Sequence, residues 1–121
     1  MAEILVIEDQ VPIRTNLRRI LTLEGFSVRE AADGRAGIEC IQQALPDLVI
    51  CDLMMPFVDG YGVLDALRAD QRSSTTPFLM LTASAEQEEA EVCLARGADA
   101  YLTKPFSVSG LLEVVRRLLG K

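Results

Sequence analysis

The chain has 121 residues, 50% of them hydrophobic and 25% charged, with a net charge of −6. That length fits one domain able to bury roughly two thirds of its unfolded surface, and the acidic balance argues against a nucleic-acid-binding surface. The chain contains no histidine, which excludes Ser-His and Cys-His nucleophile pairs, histidine metal sites and a role as phosphohistidine carrier.

In chain order, short apolar runs alternate with amphipathic stretches of helical length. The first strand is expected at Ile4 to Ile7, running in with no basic and apolar leader before it. A helix starts near Pro12, with Ile13, Leu17, Ile20 and Leu21 on its apolar face and Gly25 at its end. Phe26 to Ala31 reads as a more polar strand near an edge, and Asp33 as the N-cap of a helix through Gln43 with Ala36, Cys40 and Ile41 inward. Pro46 and Asp47 break the chain before the third strand, Leu48 to Cys51, and the loop Asp52 to Gly60 leads into a helix over Tyr61 to Ala69.

A polar connection from Asp70 to Thr76 precedes Pro77 and the fourth strand, Phe78 to Leu81. The fourth helix is expected over Glu86 to Arg96, acidic outside, with Val92, Cys93 and Ala95 inside and Gly97 as its stop. The fifth strand is Ala100 to Thr103, and the last helix runs from Ser107 to Leu119. Five β/α units predict an α/β fold: a doubly wound, flavodoxin-like five-stranded parallel sheet of order 2-1-3-4-5. The nearly all-apolar third and fourth strands belong at its centre.

Cys40, Cys51 and Cys93 are widely spaced and form no C-x-x-C pair, so neither a disulfide framework nor a zinc site is indicated. Buried thiols suit a reducing compartment, and no apolar run is long enough to span a bilayer. The expectation is a cytoplasmic domain with no membrane contact.

The chemistry gathers at strand ends. Glu8 and Asp9 follow the first strand, Asp52 the third, Thr82 the fourth and Lys104 the fifth. In a parallel sheet these ends open on one edge, where ligands bind. An isolated acidic pair is ordinarily a solvated loop, a strand-end aspartate a turn residue and a lone lysine a surface charge. Together they form a cleft in which three carboxylates cannot stay ionised without a compensating charge. A divalent cation with oxygen ligands supplies that charge, and Lys104 then remains for an anion such as phosphate. Thr82 would donate its hydroxyl to a phosphoryl oxygen, with the small Ala83 and Ser84 leaving room.

These elements, with Met55-Pro56 and Asp59-Gly60 after Asp52, and with Thr82-Ala83 and Lys104-Pro105-Phe106 in order, resemble the receiver domain of two-component response regulators. The resemblance covers essentially the whole chain and implies one receiver domain over residues 1–121. It implies that Asp52 is the phosphoacceptor, and that Glu8, Asp9, Asp52 and the backbone carbonyl of Met54 hold Mg²⁺, with Mn²⁺ as an alternative. Thr82, Ala83 and Lys104 would bind the phosphoryl group; Asp52, Thr82 and Lys104 would be the catalytic set. Thr82 and Tyr101 would form the switch, Lys104-Pro105 would be cis, and an apolar Met54 would give slow-to-moderate self-dephosphorylation.

The implied function is a signalling switch, not an enzyme with an external substrate. It would take its phosphoryl group from a sensor histidine kinase, a phosphotransfer protein or a small phosphodonor. Phosphorylation would alter the surface of the fourth helix, fifth strand and fifth helix toward an output domain or target protein, or toward a homodimer. Three other readings compete. An aspartyl-phosphate phosphatase needs a second acid two residues after its nucleophile, where Met54 stands. A flavin binder needs a hydroxyl-rich first loop, where Glu8 and Asp9 stand. An inactive receiver serving only as a docking module would not need the complete acid-threonine-lysine set.

Overall fold

The computed structural model describes residues 2–120; the outermost ends of the expected 1–121 domain, Met1 and Lys121, lie outside them. Strands and helices alternate throughout: β1 (Glu3–Ile7), α1 (Val11–Leu23), β2 (Ser27–Ala31), α2 (Gly34–Gln43), β3 (Leu48–Asp52), α3 (Gly60–Ala69), β4 (Phe78–Thr82), α4 (Gln87–Ala95), β5 (Ala100–Thr103) and α5 (Val108–Leu118). The strands pair in parallel in the expected order β2-β1-β3-β4-β5.

Alternate residues of the central strands feed opposite faces, as the period of two demands. Ile4, Val6, Leu48, Ile50, Leu79 and Leu81 pack with Leu17 and Leu21 of α1 and with Leu111 and Val115 of α5. On the other face Leu5, Ile7, Val49, Cys51, Phe78 and Met80 pack with Ile41 of α2, Leu64 and Leu67 of α3 and Cys93 of α4. β3 and β4 are buried along their whole length. Each fully buried Leu or Ile side chain stabilises the fold by about 1.5–3 kcal/mol relative to exposure, so these two layers hold the strand ends fixed.

Local signals set the helix limits. Asp33, Asp59 and Ser107 accept hydrogen bonds from the backbone N–H groups of Ala36 (2.8 Å), Gly62 (2.9 Å) and Gly110 (2.9 Å), satisfying donors that open each helix. Gly25 and Gly97 take φ of 93° and 114° just beyond α1 and α4, the left-handed conformation that ends helices at glycine.

One expectation about inward faces needs correction, and another gains residues. In α4 only Cys93 is buried; Val92 is 47% exposed and Ala95 also faces outward. The helix meets the sheet through one stripe, in which Glu89 and Ala90 are half-buried a turn before Cys93, and Val92 and Ala95 lie off that stripe. In α2 the expected inward residues do face the core, Ile41 buried and Ala36 and Cys40 partly buried against it, and Gly34 and Gly37 join the buried row. A Cβ on Gly37 would lie 2.4 Å from Ile7 Cδ1, so the closest approach to the sheet uses residues with no side chain to signal it.

Candidate functional site

The site is assembled by chain ends. Glu8 and Asp9 follow β1, Asp52 and Thr82 are the last residues of β3 and β4, and Lys104 follows β5. Parallel pairing opens all of these on one edge. The acidic loop is held from three sides: the Glu8 N–H donates to the Ala31 carbonyl (3.1 Å), the Arg14 guanidinium donates to the Glu8 carbonyl (2.9 Å), and the Gln10 N–H donates to Glu8 Oε2 (3.2 Å). After Asp52 the chain returns tightly, with the Gly60 N–H donating to the Leu53 carbonyl (2.8 Å). A Cβ at Gly60 would lie 2.8 Å from the Asp52 carbonyl oxygen, so only glycine lets α3 start that close beneath Asp52.

One oxygen each from Glu8, Asp9 and Asp52 lies within 4.8 Å of the others. Glu8 is fully buried and Asp52 is 3% exposed. Lys104 Nζ is 2.9 Å from Asp52 Oδ1 and 3.4 Å from Glu8 Oε1. One ammonium against three carboxylates leaves a surplus of negative charge in a poorly solvated cleft. Burial pushes the Glu8 carboxyl up to about 7, against the pull of the Gln10 N–H; the Asp52 charge adds to the rise. Burial also opposes the Lys104 charge, but its hydrogen bond to Asp52 and the fields of Glu8 and Asp52 outweigh that and raise its pKa.

The buried Asp9 Oδ1 has no hydrogen-bond partner among the described residues. A buried polar atom without a partner is costly, and here it stands beside two further carboxylates. Hard oxygen donors with a charge deficit fit a small divalent cation such as Mg²⁺ or Mn²⁺.

The other side of the cleft carries the hydroxyl groups. Thr82 is buried; its hydroxyl donates to Glu89 Oε1 (3.0 Å) and accepts from the Ser84 N–H (3.1 Å). Tyr101 is half-buried and donates its hydroxyl to the Ser84 carbonyl. Ala83 is exposed at the rim, and the Lys104–Pro105 peptide bond is cis. Met54 is 74% exposed above Asp52, and Phe57, with φ of 68°, is fully exposed in the same loop.

The structure thus brings Glu8, Asp9, Asp52 and Lys104 together directly, and joins Thr82 to Tyr101 through Ser84. Sequence reasoning missed Glu89 and Arg14. Neither carries a local signal, because each reaches the site from a helix whose rotation only packing decides.

The chain matches the family description "Response regulator receiver domain" over residues 4–116. It is 42% identical over all 121 of its residues to the DNA-binding dual master transcriptional regulator RpaA of a Synechocystis strain. It is also 42% identical over 118 residues to the response regulator MprA of Mycolicibacterium vanbaalenii. It spans 50% of the length of each of these relatives. Among solved structures, Vibrio cholerae chemotaxis protein CheY4 superposes with a TM-score of 0.92 at 35% identity, covering 98% of both chains. The receiver domain of Pseudomonas aeruginosa sensor histidine kinase PA1611, described with a magnesium ion in its active-site cleft, gives a TM-score of 0.91 at 32% identity, over 99% of this chain and 98% of that one. The family match over residues 4–116, identity of 42% along the full chain and the shared fold assign this protein, with its own acidic cleft, to the response regulator receiver domains, the phosphoacceptor switches of two-component signalling.

Proposed function

We propose that Asp52 accepts the phosphoryl group. A carboxylate oxygen of Asp52 attacks phosphorus, an acyl phosphate bond forms, and the bond from phosphorus to the donor's nitrogen or oxygen breaks with its electron pair leaving on the donor. The attacking group is already an anion, so the step needs no general base. Positioning and charge carry it. Lys104 holds Asp52 in place and meets the growing charge on the phosphoryl oxygens, while Thr82 offers its hydroxyl to one of them. Glu8, Asp9, Asp52 and the Met54 carbonyl are the residues that would hold Mg²⁺ or Mn²⁺. When bound, the cation supplies neutralising charge for the phosphoryl oxygens.

The observation that carries this reading is the convergence of three carboxylate oxygens within 4.8 Å beside an ammonium 2.9 Å from Asp52. The natural donor is a phosphohistidine on a sensor kinase or phosphotransfer protein, with small phosphodonors able to substitute and slow-to-moderate hydrolysis of the acyl phosphate resetting the domain. The output is an attached domain or a separate target, reached through a changed α4-β5-α5 surface or a phosphorylation-dependent homodimer. Among the described residues no helix is long and apolar enough to cross a membrane, and we place the protein in the cytoplasm beside such kinases. With acetyl phosphate and Mg²⁺, intact-mass measurement should show one phosphoryl adduct on the native chain and none on Asp52→Asn. A stable adduct on Asp52→Asn would move the phosphoacceptor elsewhere.

A further inference from the structure

Threonine has one hydroxyl proton to give. In this structure Thr82 gives it to Glu89 Oε1 at 3.0 Å, and its oxygen accepts from the Ser84 N–H at 3.1 Å. Thr82 is 2% exposed, so water offers no ready alternative. Glu89 is half-buried in the first turn of α4, seven residues along the chain. The same carboxylate acts on Tyr101, whose hydroxyl pKa is raised first by burial and next by the Glu89 charge. Tyr101 in turn donates to the carbonyl of Ser84. Glu89, Thr82, Ser84 and Tyr101 therefore form one connected chain leading from the phosphoryl-binding edge into α4 and β5.

We propose that Glu89 is a positioning residue that holds the Thr82 hydroxyl in its resting arrangement and so sets how readily the phosphorylated arrangement is reached. The proposal rests on the Asp52 phosphoacceptor reading above. A phosphoryl oxygen and the Glu89 carboxylate compete for the same single proton, so the two arrangements exclude each other. A hydrogen bond to an ionised acceptor is about twice as strong as a neutral one, and it must be given up when Thr82 turns to the phosphoryl group. Glu89 then stands half-buried without that donor. Its contact biases the equilibrium toward rest, and removing it shifts the population the other way.

The test is the affinity, in Mg²⁺, for beryllofluoride, which bonds a carboxylate oxygen in place of a phosphoryl group. Glu89→Ala should bind it roughly three- to tenfold more tightly than the native chain, and Glu89→Gln, which keeps a neutral acceptor, should fall between. Glu88→Ala removes an equal charge from the exposed side of the same turn and should change affinity less than about twofold. In a Thr82→Ala background, Glu89→Ala should lose its effect, because the hydroxyl it acts through is gone. Circular dichroism on each variant confirms the fold, and Glu89→Gln retains the side-chain volume should Glu89→Ala unfold.

Equal effects of Glu88→Ala and Glu89→Ala would reduce the result to general charge and overturn the latch. Persistence of the gain without the Thr82 hydroxyl would overturn it as well. Failure of the native chain to bind beryllofluoride any better than Asp52→Asn would instead sink the phosphoacceptor reading, and the latch with it.

Discussion

Glu8 and Asp9 are adjacent in sequence but do different work. Glu8 is fully buried, pinned by backbone contacts and paired with Lys104, whereas Asp9 presents a buried oxygen with no partner among the described residues. The Glu8 carboxyl, lifted from 4.5 to about 7 chiefly by burial, would make cation binding at the proposed site pH-dependent. Without metal, the folded state holds this proton more tightly than the unfolded state between those two values. Its stabilising contribution is therefore full below pH 4.5 and lost as pH rises toward about 7. A cation needs the ionised form, so its affinity moves the opposite way. Mg²⁺ affinity by calorimetry should rise by up to about tenfold per pH unit below pH 7 and level off above it. A flat profile from pH 5.5 to 8 would contradict a raised Glu8.

At the scale of elements, the periodicities placed every strand and helix to within a residue or two, because central strands with continuous apolar runs and capped helices leave few alternatives. Faces were less legible where the inward residue is small. α2 adds Gly34 and Gly37 to the buried row that holds Ile41, and α4 turns Val92 outward. Gly37 illustrates the balance. Replacing a helix-interior glycine commonly gains up to about 1 kcal/mol of propensity, but a Cβ here would come within 2.4 Å of Ile7 Cδ1, and overpacking costs about 1–3 kcal/mol. For the β-branched Gly37→Val the steric cost wins, and a net loss of about 2 kcal/mol should appear as a lower urea midpoint. An unchanged midpoint would mean that α2 can shift away from β1 freely.

On the scale of the whole molecule, the cleft is a region of stored repulsion in an otherwise well-packed domain. Asp9→Asn removes one buried, unpartnered carboxylate oxygen. In chelator it should stabilise the fold by about 1 kcal/mol, seen as a melting temperature roughly 3–5 °C higher. The same substitution should abolish the stabilisation that added Mg²⁺ gives the native chain through mass action. Calorimetric scans with and without Mg²⁺ check both halves, and an Asp9→Asn variant that still gains stability from Mg²⁺ would remove Asp9 from the proposed cation site.

The sequence by itself determined the alternating strands and helices, the strand ends and the identity of the acids, hydroxyl and lysine carried to one edge, with the order 2-1-3-4-5 taken as the common closure of five such units. It could do so because parallel β/α units follow a strict period and put every strand's carboxyl end on the same side. Only the tertiary structure decided which groups touch: that Lys104 bonds Asp52 at 2.9 Å, that Asp9 keeps an oxygen free, and that Glu89 takes the Thr82 proton. Those choices depend on helix rotation, loop closure over Gly60 and the burial of each charge. All three arise from packing between segments far apart in the chain, which no local pattern of residues records.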